Sequence, residues 1–372
     1  MHGVQKKSEV HVTMSTMLRK VSGILVATAL LLTALIPAAL GEGTEKMLKF
    51  DENGKFKIME MSDFQDYISA EKPTVNEKSI ALMEAALDAE QPDLVVMNGD
   101  MVGGDMDAAQ LQDYIAQMVK PLEDRQIPWL VTYGNHDEDC ASAVADGWNK
   151  IKQLAYYRSF SCNINQPSMS GAEGFDPNGI NTHAVGDMYV LLYDNAGETP
   201  LYNVWALDTN RYDSSDAATD GYDWLRFEQV AWYYNTSKEL EASYGKLNSL
   251  MFFHIPLPEW SDMYSDALFF NVTGHRFEVE CPAKINSGLF AAALERGDVR
   301  GMFVAHDHVN DYIGNYYGIY LGYDANVGYQ TYGLGGESND LMRGVRVFEL
   351  DQSDLTTFET RMVYATDLGV NQ

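Results

Sequence analysis

From residue 50 onward, short apolar runs alternate with segments whose apolar residues recur at helical spacing, and each run ends in polar residues. Residues 56–61 read as a strand, followed by Ser62, Asp63, Phe64, Gln65 and Asp66. Ile80, Met83 and Leu87 fall on one face of a helix over 77–90, which Pro92 stops. Residues 94–97 form a buried strand running into Asn98, Gly99 and Asp100. A second helix sets Leu111, Tyr114, Ile115 and Met118 on one face, and a strand over 129–133 runs into Gly134, Asn135, His136 and Asp137. The pattern predicts a β-α-β-α-β run with a polar cluster at the C-terminal end of each strand. Open α/β sheets bind ligands along that edge.

Residues 161–183 are rich in Ser, Gly, Pro and Asn and predict a long loop or insertion. Strands recur at 188–193 and 204–208, with a helix near 223–241. A strand over 250–253 delivers His254, one over 301–305 delivers His306, Asp307 and His308, and 345–350 alternates like a half-buried strand. No internal repeat or low-complexity tract interrupts the chain, so residues 45–370 read as one domain.

The first residues follow other rules. Lys6, Lys7, Arg19 and Lys20 precede an apolar run over 21–40 with small residues at its end, the make-up of an export signal over 1–41. The other reading is a membrane anchor formed by residues 21–40. Export implies a secreted or periplasmic protein with no stable membrane association once the signal is removed. The net charge is −28, and −31 without residues 1–41. Such a surface repels nucleic-acid backbones and anionic membranes, so polymeric nucleic acid is not an expected partner. Three cysteines, Cys140, Cys162 and Cys281, make no disulfide framework or zinc knuckle. One pair, such as Cys140 with Cys162, could bridge in an oxidising compartment, and the sequence leaves this open.

Against this acidic background a lone carboxylate says little, and the histidines say more. His136, His254, His306 and His308 each stand directly after an apolar strand run, whereas His183 and His275 do not and read as surface residues. A single histidine after a strand is most often structural. Four, joined by Asp63 and Asp100 at strand ends, fit paired divalent metals, which need a bridging carboxylate and neutral nitrogen donors. Asp100 is the candidate bridge. Tyr222, Trp224, Trp232 and Trp260 are open to two readings, core or pocket wall. No Gly-x-Ser-x-Gly elbow suggests a serine hydrolase.

With these residues in hand, the chain resembles the calcineurin-like metallophosphoesterases, on Asp63 with Gln65, Gly99-Asp100, Gly134-Asn135-His136-Asp137, His254, and His306-Asp307-His308. A narrower likeness, to the purple acid phosphatase-like subgroup, rests on residues 207–209, 221–224, Gln229, Trp232, residues 254–259, 286–288 and 306–311. The resemblance implies a four-layer α-β-β-α sandwich of the metallophosphoesterase type, with two divalent or trivalent metal ions (Mn, Fe, Zn or Mg) at its strand ends. It also implies hydrolysis of a small phosphorylated substrate, a mono- or diester, by water activated between the ions. Carried over by residue, Asp63, Asp100 and His308 hold the first metal, and Asp100, Asn135, His254 and His306 the second. His136 contacts the phosphate and protonates the leaving oxygen, oriented by Asp137 or another carboxylate.

The sequence departs from its family at two positions. Most relatives carry a metal-binding histidine where this chain has Gln65, and purple enzymes carry a tyrosine where it has Gly103. Gln65 can offer an amide oxygen that suits Mg or Mn, or hydrogen-bond behind the ligands. A weaker first site and a colourless protein are the expectation. Gln65 is also the one feature favouring an alternative, a secreted binding protein on the same scaffold with a degenerate metal pair.

Overall fold

The computed structural model describes residues 47–175, 181–213, 221–336, 339 and 341–370, so the expected export signal or anchor over 1–41 lies outside the described residues. In chain order the elements begin with β1 (Lys55–Met61), α1 (Glu77–Glu90), β2 (Leu94–Asn98), α2 (Ala108–Arg125) and β3 (Trp129–Thr132). Two short helices, α3 (Ala141–Ala145) and α4 (Lys150–Tyr157), lead to β4 (Gly174–Phe175), β5 (Thr182–His183), β6 (Met188–Tyr193) and β7 (Pro200–Ala206). Then come β8 (Tyr212–Asp213), β9 (Gly221–Tyr222), α5 (Phe227–Tyr244), β10 (Asn248–Phe252), α6 (Pro258–Ser265), α7 (Leu289–Arg296) and β11 (Val299–Val304). The chain closes with β12 (Ile313–Tyr316), β13 (Ile319–Tyr323), β14 (Gly344–Asp351) and β15 (Asp354–Tyr364).

Local chemistry sets the boundaries. Asn76 caps α1 by accepting from the Lys78 N–H, and Gln91 ends it in the left-handed region just before Pro92. Asp107 and Gln110 form a reciprocal capping box at the start of α2.

Strand periodicity then sorts residues into layers. One sheet runs β15-β14-β1-β2-β3 and the other β12-β13-β11-β10-β7-β6. In the first, Met59, Met61, Val95, Met97 and Val131 pack against Leu82, Met83, Tyr114 and Met118 of α1 and α2. Their alternate neighbours Phe56, Ile58, Leu94, Val96 and Leu130 meet Tyr202, Val204, Leu250, Phe252 and Phe303 of the second sheet. That sheet's outer face (Trp205, Met251, Met302, Val304, Leu321) packs on Val230, Tyr233, Leu289 and Ala293 of α5 and α7. The result is the expected α-β-β-α sandwich, in which each buried Leu or Met side chain contributes about 1.5–3 kcal/mol.

β1, β2 and β3 are parallel, as are β7, β10, β11 and β13, so their C-terminal ends share one edge. There the inter-sheet face turns polar. Asn98 donates to Glu60 Oε1 at 2.6 Å, and Thr132 donates to Asn98 Oδ1 at 3.0 Å.

Several expectations are corrected. The strand expected at 204–208 spans Pro200–Ala206, and the helix near 223–241 spans Phe227–Tyr244. Within the expected loop 161–183, β4 and β5 pair antiparallel over two residues each. Cys140, Cys162 and Cys281 are free thiols, which answers the open question of a Cys140–Cys162 bridge: none is formed. The Cys140 thiol is instead buried and donates to the Gly104 carbonyl. No helix among the described residues is long and apolar enough to cross a membrane.

Candidate metal centre

Asp63 follows β1, Asp100 follows β2, Asn135 and His136 follow β3, His254 follows β10, and His306 and His308 follow β11. Sharp turns aim these side chains inward. Asp63, Gln65, Asp100 and His306 have φ of 55°, 40°, 53° and 75°, conformations costing on the order of 1–3 kcal/mol each outside glycine. Two glycines make room for the cluster. A Cβ on Gly99 would lie 2.7 Å from the His254 ring, and one on Gly134 would lie 2.2 Å from Asp100 Oδ1.

Of the two alternatives for orienting His136, Asp137 or another carboxylate, the structure has the second, and Asp137 does something else. It is buried, and its carboxylate accepts from the backbone N–H groups of Gly134 (2.7 Å), Asp100 (3.0 Å) and Met101 (2.9 Å). It therefore ties the β2 and β3 loops together. The carboxylate that meets His136 is Asp139, whose Oδ2 lies 2.5 Å from Nδ1. Asp139 is gripped in turn by the Arg211 guanidinium, which also donates to the Asn135 carbonyl at 2.8 Å. Burial alone would depress the His136 imidazole, but the Asp100 carboxylate together with Asp139 raises it to about 9.

The imidazoles are held from behind. His254 Nδ1 lies 2.8 Å from the Asn98 carbonyl and His308 Nδ1 lies 3.0 Å from the Tyr332 carbonyl. A carbonyl only accepts, so both Nδ1 atoms carry hydrogen and both Nε2 atoms face inward, where a metal ion could take the place of a proton. His254 Nε2 is 3.0 Å from Asp100 Oδ2, and His308 Nε2 is 3.2 Å from Asp63 Oδ1. His306 lies between the His254 ring, 5.3 Å away, and the Tyr222 ring, 4.4 Å away and perpendicular. Ligand-type atoms of Asp100, His254 and His306 lie within 4.8 Å of one another.

Four buried atoms here, Asp63 Oδ1, Asn135 Oδ1, His254 Nε2 and His306 Nδ1, have no hydrogen bond of ordinary geometry among the described residues. Burying such groups without a partner costs about 1–3 kcal/mol each. Four lone-pair donors of mixed N and O type, converging from both sheets, fit divalent metal ions well. Without metal, burial would raise the Asp100 carboxyl, yet the charges of His254 and His136 hold it well below the usual carboxylate range. Burial and the charge of His254 together push the His306 imidazole down to about 3.

Gln65 joins the cluster in a particular pose. Its Nε2 is 3.0 Å from Asp100 Oδ2, and its Oε1 accepts from the Thr331 hydroxyl. Among the four aromatics of divided reading, Trp260 is core and Trp232 packs beside Trp205, whereas Tyr222 stands at the site. It stacks on Tyr212, whose hydroxyl accepts from Asn135 Nδ2 at 2.8 Å. His183 and His275 take no part; His275 contacts Asp311. Asp139, Arg211, Tyr212 and Thr331 carried no motif and were not expected here.

This fold and this convergence of aspartate, asparagine and histidine at its strand ends define the metallophosphoesterase class. The calcineurin-like phosphoesterase model matches residues 56–310, and the chain belongs to that family. It is 31% identical over 312 residues to "Probable inactive purple acid phosphatase 29" of Arabidopsis thaliana, spanning 78% of this chain and 76% of that one. It is 27% identical over 287 residues to "Phosphatase DCR2" of Saccharomyces cerevisiae, spanning 73% of this chain and 46% of that one. Among solved structures, a dimetal phosphatase from Danio rerio aligns over 82% of this chain and 98% of its own, with a TM-score of 0.46 and 11% identity.

Proposed function

We propose that this protein hydrolyses phosphate mono- or diesters of small molecules with the help of bound metal ions. The observation that carries the reading is the set of four unsatisfied buried donor atoms converging beside Asp100 from both sheets. Asp63, Asp100 and His308 would hold one ion, and Asp100, Asn135, His254 and His306 the other. When bound, the ions supply Lewis-acid activation of water and charge neutralisation at the phosphoryl oxygens. His136 acts from the side. With Nδ1 held by Asp139, its other ring nitrogen is the proton carrier. Arg211 keeps Asp139 in place, and Tyr212 holds the Asn135 amide. Residues 1–41 serve export, placing the enzyme outside the cytoplasm.

The second reading, a binding protein with a degenerate centre, is favoured by Gln65 and by relatives named as probably inactive. Turnover of p-nitrophenyl phosphate and its bis ester with added Mn separates the two. The enzyme reading expects turnover that falls at least about a hundredfold in Asp100→Asn. Equal rates in both proteins, or none in either, would overturn it.

A further inference from the structure

Hydrogen-bond directions around Gln65 decide which end of its amide faces the cluster. His308 Nδ1 is a donor, since it meets the Tyr332 carbonyl at 3.0 Å. The Thr331 hydroxyl, 3.4 Å from that same Nδ1, can accept from it but has no proton to give there. Its one hydrogen goes to the other acceptor in reach, Gln65 Oε1. The amide nitrogen is then left pointing inward, 3.0 Å from Asp100 Oδ2 and 3.4 Å from His308 Nε2. The reverse pose would press Oε1 against a carboxylate oxygen at the same 3.0 Å, two acceptors in contact. The backbone fixes the side chain's origin, because Gln65 N–H bonds the Asp100 carbonyl at 3.0 Å. A Cβ at Gly103 would lie 2.4 Å from the Gln65 carbonyl oxygen, so the two segments are tightly apposed.

We infer that Gln65 is a hydrogen-bond donor to Asp100, locked in that role by Thr331, and that the chain therefore holds one metal ion tightly and a second only weakly. This rests on the metal-centre reading above and gives it an order of loading. The tight ion has four side chains, Asp100, Asn135, His254 and His306. The weak one would have three, Asp63, Asp100 and His308, and would meet the Gln65 N–H groups, 3.0 Å from Asp100 and 3.4 Å from His308 Nε2, where a further ligand is needed. The protein is a one-ion species at low free cation and gains the second ion only when the cation is abundant.

Manganese titration of the chelator-stripped full chain tests this, followed by calorimetry and by electron paramagnetic resonance of Mn(II). The wild type is expected to bind one Mn with the spectrum of an isolated ion, then a second about a hundredfold more weakly. Gln65→His should bring the two affinities together and give an exchange-coupled pair from the first additions. Thr331→Val, which releases the amide oxygen, should tighten the second ion about tenfold. Two equal ions in the wild type, or a second affinity unmoved in both variants, overturn the role of Gln65 alone. Failure to bind any Mn overturns the metal centre itself and this inference with it.

Discussion

Lys150 gives the sharpest stability prediction. It opens α4 and is fully buried, with Nζ 2.8 and 3.0 Å from the two oxygens of Asp208, which is buried as well. Asp208 also accepts from the N–H groups of Val185 and Asn210, each at 2.8 Å. Burial alone would depress the lysine, but the charges of Asp208 and Glu138 raise it, so it stays protonated. Lys150→Met keeps most of the volume and removes the charge, leaving a carboxylate in the interior without its cation. Breaking a buried pair from one side costs about 3–5 kcal/mol. At about 2 °C per kcal/mol for a domain this large, the melting temperature should fall by about 6–10 °C. A group raised on folding contributes stability that is present below its unfolded value and lost only as pH rises through its folded one. The lysine's own contribution should therefore not change between pH 6 and pH 8. Urea unfolding of the single variants and of Lys150→Met/Asp208→Asn completes the cycle, the double variant losing less than the sum by about 1–3 kcal/mol. A loss below about 1 kcal/mol in Lys150→Met, or simple additivity, would refute the argument.

Asp139→Asn should lower kcat about 10- to 100-fold toward alkyl phosphates and much less toward p-nitrophenyl phosphate, whose leaving group needs little protonation; equal losses on both would remove His136 as the acid. Gly134→Ala forces a Cβ to within 2.5 Å of His254 Cδ2, so Mn affinity by calorimetry should fall more than about tenfold while the circular dichroism spectrum is kept. Asp187 is buried, accepts from the Asp208 N–H and from Gln229, and burial raises its carboxyl to about 7. Its folded value exceeds its unfolded one, so the stability it contributes at low pH is lost as pH rises through about 7. Asp187→Asn should gain melting temperature relative to wild type between pH 4 and 7, and a constant difference across that range would count against this account.

The first half of the fold was legible because its strands are buried on both faces and its helices show clear stripes. The helix expected at 77–90 has those very bounds, since Asn76 and Pro92 punctuate it. β15 was not legible: of its residues only Val363 is buried, so no apolar run marks it, and its partner β14 supplies the order. α6 and α7 run for about two turns, eight residues each, too short for a stripe to stand out. At the site, residues that end strands could be read from their position. Asp139 could not, because it stands among Asp137, Glu138 and other acids, and only the turn after His136 selects it. Arg211, Tyr212 and Thr331 reach the cluster from segments distant in sequence, and nothing in their own neighbourhoods announces that.

Asp63, Asp100 and Asn135 belong to one sheet, while His254, His306 and His308 belong to the other. A cation gripped by both groups would rivet two slabs that otherwise meet through apolar side chains and a few hydrogen bonds, such as Asn98 to the Phe253 carbonyl and Arg346 to the Tyr323 carbonyl. Some of this molecule's rigidity is then on loan from its surroundings. A chelator would loosen the joint as well as silence any chemistry, and metal supply would set how long the protein lasts.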